Sequence, residues 1–184
     1  MPSFTHTLLH TERLTLRWLE ESDTAALFAM YSDPEVLRYW SSAPWTEMAQ
    51  ADDSIAQSLA GYCNGSDLRF GITLREGGAL IGTCALYRFY PMNRRADIGY
   101  LLAKEYWGHG YMGEALTAML DYSFDALDLN RLEADIDPRN DASARTLERL
   151  RFQREGYMRE RWIVNGEVCD TAFYGLLRSD WKAP

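Results

Sequence analysis

Tyr106-Trp107-Gly108-His109-Gly110-Tyr111-Met112-Gly113-Glu114-Ala115-Leu116 sets three glycines where an extended apolar run, Ile98 to Leu102, gives way to a helical one. Glycine lets the backbone turn tightly and lets a ligand come close to its N–H groups. The first N–H groups of a helix lack partners within the helix, and the helix dipole favours negative charge there. Together these features make an anion site, most often one for phosphate. The stretch therefore points to a phosphorylated cofactor.

Two phosphate-binding patterns can be weighed against it. Gly108-x-Gly110-x-x-Gly113 has the literal spacing of the dinucleotide fingerprint, with Glu133 about 20 residues further on. In the dinucleotide fold, however, those glycines open the first βα unit of a parallel sheet. Here more than half of the chain precedes them and reads as hairpins, and Lys104-Glu105-Tyr106-Trp107 separates them from the strand. A Walker-type loop fails because no Lys-Ser/Thr pair follows the glycines.

Upstream, Thr11 to Arg17 alternates as a strand does. Ser22 or Asp23 caps a helix through about Tyr31, and Asp33-Pro34 ends it or starts a short second helix. Thr46-Glu47 opens another helix to about Tyr62. Leu68 to Leu74 and Leu80 to Leu86 read as strands joined by the turn Glu76-Gly77-Gly78, and Arg95 to Leu102 adds a third, giving an antiparallel meander. Downstream, Met112, Ala115, Leu116, Met119, Ser123 and Leu127 recur at helical spacing and form a core face. Leu132 to Ile136 is a strand, and Ala142 to Leu150 a short helix with Leu147 and Leu150 inward. Phe152 to Val164 and Glu167 to Leu177 are strands joined at Asn165-Gly166, a strong hairpin signal. The order predicts a mixed α/β (α+β) fold, read as a single domain over 1–184.

The 184 residues suffice for one sizeable core, and 47% hydrophobic and 13% aromatic residues are globular values. No apolar run reaches the ~18 residues needed to span a membrane. Met1-Pro2-Ser3-Phe4-Thr5-His6 lacks the basic start and apolar stretch of a signal peptide, so a cytoplasmic location is expected. Cys63, Cys84 and Cys169 are odd in number and far apart, which reads as reduced packing cysteines. His6, His10 and His109 form no metal-ligand pattern with them, so no metal is expected. The net charge of −8 disfavours nucleic acid and mildly attracts a cationic substrate such as an amine.

Several blocks taken together resemble the Gcn5-related N-acetyltransferases, in particular the RimJ/RimL-like branch that includes ribosomal-protein N-terminal acetyltransferases. They are Thr11-Glu12-Arg13-Leu14-Thr15-Leu16-Arg17, Ser32-Asp33-Pro34-Glu35-Val36, Ala96 to Leu102 followed by Tyr106 to Tyr111, Asn140 to Phe152, Glu155-Gly156 and Asn165-Gly166 to Asp170. Each block alone is weak; their order and spacing cover nearly the whole chain.

The resemblance implies a mostly antiparallel sheet whose one parallel pair, Arg95 to Leu102 and Leu132 to Ile136, splays to hold acetyl-CoA. It implies that Gly108, His109, Gly110, Tyr111, Met112 and Gly113 cradle the pyrophosphate, with His109 facing a phosphate or lying solvated. Leu101, Leu102 and Ala103 would offer backbone partners to the pantetheine arm, and an N–H near Leu101 would polarise the thioester carbonyl. Asn140 would contact the same arm, cap the following helix, or do both. Arg145 and Arg149 share a face and either reach phosphates or stay solvated.

Many relatives carry a Tyr where this chain has Leu147, so the departing thiolate needs another donor. Ser143 is the candidate, with a structural serine as the alternative. Asp97, Glu133 and Asp135 are candidate bases, with Asp97 taken first. Tyr39, Trp40 and Trp45, with Arg38, border the expected acceptor site, where core packing is the competing role. The implied activity is acetyl transfer to a primary amine, a protein N-terminal α-amine first. A small-molecule amine and a non-catalytic acetyl-CoA-binding module are the alternatives, in a monomer or homodimer.

Overall fold

The structure is a computed structural model that describes residues 4–182, so the first three residues of the amino-terminal segment read above lie outside the described residues. Eight strands form one sheet in the order β1-β2-β3-β4-β5-β6-β8-β7. They are β1 (Leu9–His10), β2 (Leu14–Trp18), β3 (Asp67–Leu74), β4 (Leu80–Tyr90), β5 (Arg95–Leu102), β6 (Arg131–Ile136), β7 (Gln153–Val164) and β8 (Glu167–Leu177). Five helices are α1 (Thr24–Ser32), α2 (Ala49–Asn64), α3 (Tyr111–Asp125), α4 (Asp141–Arg149) and α5 (Arg178–Trp181). Every neighbouring strand pair is antiparallel except β5 with β6. Among the described residues no helix is long and apolar enough to cross a membrane.

The meander β3-β4-β5 and the hairpin β7-β8 stand where the sequence puts them. Asn165 and Gly166 both have positive φ, at 49° and 82°, as a tight two-residue hairpin turn requires. Asp33-Pro34 ends α1, and residues 34–39 form turns rather than a second helix. Asp23 precedes α1 but does not cap that helix with its side chain. Its carboxylate instead receives both Nη atoms of Arg17 at 2.7 Å and the Glu20 N–H at 2.8 Å. The two-residue β1 and short α5 escape periodicity because neither is long enough to show one.

Adjacent residues on β5 face opposite sides of the sheet. Ala96, Ile98 and Leu102 join the larger core, where α3 contributes Ala115, Leu116, Met119, Leu120 and Phe124. Leu120 and Phe124 widen the stripe expected from spacing, and Leu127 falls beyond the helix end but still packs against it. Leu101 points the other way, into a second core with Leu27, Met30 and Tyr31 of α1 and Ile55 of α2. Layers on both faces explain why β3 is buried at Leu68, Phe70, Gly71, Ile72 and Thr73 in near-continuous succession.

Register shifts fall in three strand pairs, the first of them between Ile72 and Thr73 where β3 meets β4. In β4 the register against β5 shifts between Tyr87 and Tyr90, and Arg88 takes a φ of 49°. The outermost strand, β7, has two such shifts against β8, between Arg154 and Gly156 and between Met158 and Trp162, with Glu160 at a φ of 53°.

Tyr62 of α2 pins the helix to the sheet. Its ring stacks on Trp18 at 4.1 Å between centroids. Its hydroxyl accepts from the Leu19 N–H at 3.1 Å and donates to the Arg69 carbonyl at 2.5 Å. Burial pushes the phenol up to about 12. Tyr62→Phe keeps the ring but strands a buried backbone donor and acceptor, so it lowers unfolding free energy by about 1–3 kcal/mol in chemical denaturation.

Candidate functional site

The parallel pair β5–β6 holds register only at Arg95↔Arg131, Ala96↔Leu132 and Asp97↔Glu133. Beyond Asp97, β5 stays paired with β4 through Leu102, and β6 stays paired with β8 through Ile136. The two strands therefore part at the centre of the sheet. Successive strand residues send their N–H and C=O groups to alternate sides. Half of these groups in 98–102 thus face a gap where a neighbouring strand belongs.

Leu101, Leu102 and Ala103 lie there and are buried. Their backbones are partly committed already. The Leu102 carbonyl accepts from the Trp107 indole N–H at 2.8 Å. The Ala103 N–H donates to Ile81 at 2.9 Å and its carbonyl accepts from Tyr106 at 3.0 Å. The Ala103 N–H is thus already engaged within the fold.

One turn later the glycine stretch opens α3. The first helical bond runs from Glu114 N to the Gly110 carbonyl at 3.1 Å. The N–H groups of Tyr111, Met112 and Gly113 therefore have no carbonyl within the helix to donate to. Gly110, the N-cap, has φ +80° and offers no side chain to cap them. A Cβ at Gly108 or Gly113 would meet nothing within 4 Å. The result is an exposed, bare cradle of amide donors, which suits an anion such as a diphosphate. His109 is exposed and stacks on Tyr111 at 5.9 Å.

The parted strands themselves border a cavity of about 960 Å3. Its walls include Tyr100 and Gly99 of β5, Asp135 of β6, Asn140 and Ser143 at the start of α4, Tyr39 and Trp40 after α1, and Trp162 of β7. The Asn140 side-chain oxygen caps α4 by accepting from Ser143 N at 3.1 Å. Ser143 Oγ lies 2.6 Å from the Tyr100 hydroxyl. Burial holds the Tyr100 phenol well above its ordinary value, so it stays protonated. Leu147, with none of its surface exposed, is core.

Of the three carboxylates considered as bases, Asp135 is the one on the cavity wall. Its nearest cation is Arg161, at 4.0 Å. Asp97 stands off that wall and pairs with Arg88 at 3.3 Å. Burial nevertheless keeps its carboxyl above the ordinary value. Glu133 is tied to Arg95 and, at 2.7 Å, to Arg131. Two cations on one carboxylate leave little basicity.

Trp45 does not line the cavity; it stacks on Tyr31, which does, at 4.4 Å. Arg145 and Arg149 are exposed on α4, away from the cavity. Of the cysteines, Cys84 is buried, Cys63 is exposed, and Cys169 lines the cavity, so the packing role fits Cys84 alone. Sequence reasoning passes over Tyr100, Arg88 and Asp67. Asp67 lines the cavity with no hydrogen bond or ion pair to its side chain among the described residues, and burial raises its carboxyl. The β-bulge at Arg88 turns that side chain toward the cavity.

The model of the acetyltransferase (GNAT) domain matches residues 13–153. The chain is 40% identical over 177 residues to the uncharacterized N-acetyltransferase p20 of Bacillus licheniformis, covering 94% of this chain and 97% of that protein. It is 28% identical over 180 residues to the [ribosomal protein uS5]-alanine N-acetyltransferase of Escherichia coli, covering 94% and 92%. Its fold matches that of a spermidine N-acetyltransferase from Vibrio cholerae in complex with CoA and spermine, with TM-score 0.83, 23% identity and coverage of 93% and 98%.

The Glu133 pairs have a pH signature. Burial alone raises this carboxyl, but the hydrogen bonds from Arg95 and Arg131 outweigh burial and hold it below its ordinary value. A depressed folded value means the pairing stabilises fully above the unfolded value of about 4.3. That contribution is lost as pH falls through the lower folded value. Glu133→Gln is thus expected to cost about 1 kcal/mol at pH 7, with the cost shrinking progressively as pH falls below about 4, read from denaturation across that range.

Proposed function

This chain belongs to the GNAT acetyltransferase family, an N-acetyltransferase, and we propose that its acceptor is the α-amine of a protein N-terminus, with acetyl-CoA as donor. We read 1–184 as one acetyltransferase domain acting in the cytoplasm. The observation that carries the reading is the single cavity reaching from the Tyr100–Ser143 pair to the surface segment at Tyr39 and Trp40. Its volume of about 960 Å3 leaves room for more than a small amine. The uS5-alanine relative supports the same acceptor class. A small cationic amine is the second reading, favoured by two carboxylates on the wall: Asp67, which has no hydrogen bond or ion pair to its side chain among the described residues, and Asp135, whose ion pair with Arg161 is a long one at 4.0 Å.

Acetyl-CoA supplies an acetyl group activated as a thioester. The bare N–H groups of Tyr111, Met112 and Gly113 would hold its diphosphate. The parted strands would receive its arm, with the free amide end of Asn140 beside them. A protonated Tyr100 that donates to Ser143 Oγ leaves the Ser143 hydroxyl proton free to point into the gap and stabilise negative charge on sulfur. Asp135 is placed to accept a proton from an incoming ammonium, directly or through water. An α-amine titrates near 8, so modest help suffices. Asp97 acts at one remove, by holding Arg88 against the cavity.

The acceptor reading is tested by following thiol release from acetyl-CoA with short peptides and with di- and polyamines. Peptides with free N-termini are expected to turn over at least tenfold faster in kcat/KM, and N-blocked peptides not at all. Turnover with polyamines alone would overturn it.

The hydroxyl pair is tested separately. Ser143→Ala is expected to lower single-turnover rate roughly 10- to 1000-fold with little change in the Kd for acetyl-CoA. Tyr100→Phe, which leaves Ser143 unoriented, is expected to lose less. An unchanged rate in a folded Ser143→Ala protein, with only a lowered Tm, would make the serine structural.

A further inference from the structure

The stretch Thr11-Glu12-Arg13-Leu14 stands next to the glycine loop in space although about a hundred residues precede that loop. Glu114, in the first turn of α3, is gripped from this segment. Its Oε1 accepts from Thr11 Oγ1 at 2.5 Å and from Arg13 N at 2.8 Å, and its Oε2 accepts from Arg13 Nε at 2.7 Å. The same guanidinium donates through Nη1 to the His109 carbonyl at 3.0 Å. It also lies over the Tyr111 ring, 4.4 Å from its centroid. Arg13 itself is fixed, because its carbonyl accepts from Arg75 N at 2.9 Å while Arg75 Nη1 donates to the Thr11 carbonyl at 3.1 Å.

The loop needs such an anchor. Gly108 and Gly110 hold φ of +77° and +80°, and residues 108–110 are exposed. Glycines in that state carry a large entropy cost of ordering. A carboxylate at Glu114 adds a second problem. It favours the helix dipole, but uncompensated it would repel an anion bound one turn away. Arg13 answers both, since it neutralises Glu114 and fastens the loop carbonyl at His109.

We propose that Arg13 is a positioning residue for the cofactor loop, its guanidinium joining Glu114 to the His109 carbonyl so that the N–H groups of Tyr111, Met112 and Gly113 are set in advance for a diphosphate. This rests on the reading of the loop as the acetyl-CoA diphosphate site. The ligand chemistry served is the diphosphate, not the acyl arm. A residue that only braces the fold would affect stability alone.

The test compares wild type, Arg13→Ala, Arg13→Lys and Glu114→Gln, each checked for folding by circular dichroism. Calorimetry gives the Kd for CoA, and kinetics give kcat/KM for acetyl-CoA and for S-acetylpantetheine, which lacks the diphosphate. Arg13→Ala is expected to weaken CoA roughly tenfold or more, the size of one charge-assisted hydrogen bond. The preference for acetyl-CoA over S-acetylpantetheine should fall by a similar factor. Arg13→Lys should not restore affinity, because an ammonium cannot serve Glu114 and His109 together in the fork geometry. Glu114→Gln lifts the repulsion of an anion but unfastens Arg13 from the loop; with anchoring dominant, the preference for acetyl-CoA over S-acetylpantetheine should fall here too, and this variant serves if Arg13→Ala does not fold. Wild-type CoA affinity in folded Arg13→Ala or Arg13→Lys protein would overturn the proposal while leaving the loop assignment standing. Failure of the wild-type protein to bind CoA would overturn both.

Discussion

Parting of β5 from β6 is the constraint on which the rest of the structure depends. A buried strand edge is costly, since unpaired N–H and C=O groups away from water forfeit their hydrogen bonds. Here the cost is contained. Pairing is lost only beyond Asp97↔Glu133, and each strand keeps its other neighbour to the end. The Trp107 indole covers the Leu102 carbonyl, and Ile81 takes the Ala103 N–H. What stays open is a slot with backbone donors and acceptors on its edges. The glycine cradle follows β5 in the chain, and the aromatic, partly acidic cavity is lined by residues of both parted strands.

The charges around the cavity are mostly spoken for. Arg139 holds Asp137 at 2.6 Å and also pairs with Glu167, tying the end of β6 to the β7–β8 turn. Arg69 donates to Ser54 Oγ at 2.8 Å and to the Tyr31 hydroxyl at 2.5 Å. Arg88 is taken by Asp97. Against this background Asp67 and Asp135 stand out as lightly compensated carboxylates on the cavity wall. The negative net charge read from composition thus has a local counterpart, which composition alone does not locate.

Backbone features were the legible part of the chain. Glycine spacing at Gly108 to Gly113, the Asn165-Gly166 turn and the alternation in Thr11 to Arg17 act through local geometry, so they show in a short window. Side-chain placement was less legible. Whether a strand carboxylate faces a cavity depends on register and on which strand lies beside it. Asp97 and Asp135 look alike in sequence, yet one is drawn aside by Arg88 and the other lines the wall. Tyr100 reads as one more aromatic in a strand until α4 brings Ser143 to it. Trp45 reads as a border residue, and its stacking on Tyr31 turns it into a prop behind that border. The bulge at Arg88 has no marker in the sequence, because no glycine or proline announces it.

The irregular outer strand has a consequence for life at high concentration. β7 is a long edge, and an open edge is a template for pairing with another chain. The exposed side chains Tyr157, Met158 and Ile163 would make a flat ribbon there adhesive. The two register shifts and the left-handed Glu160 interrupt it, and Arg154, Arg159, Glu160 and Arg161 place charges along it. Smoothing this strand into a regular one would make that edge a better template for pairing, and it would also shift Arg161 and Trp162, which reach the cavity wall. The kinks in β7 thus oppose self-assembly and shape one wall of the cavity at the same time.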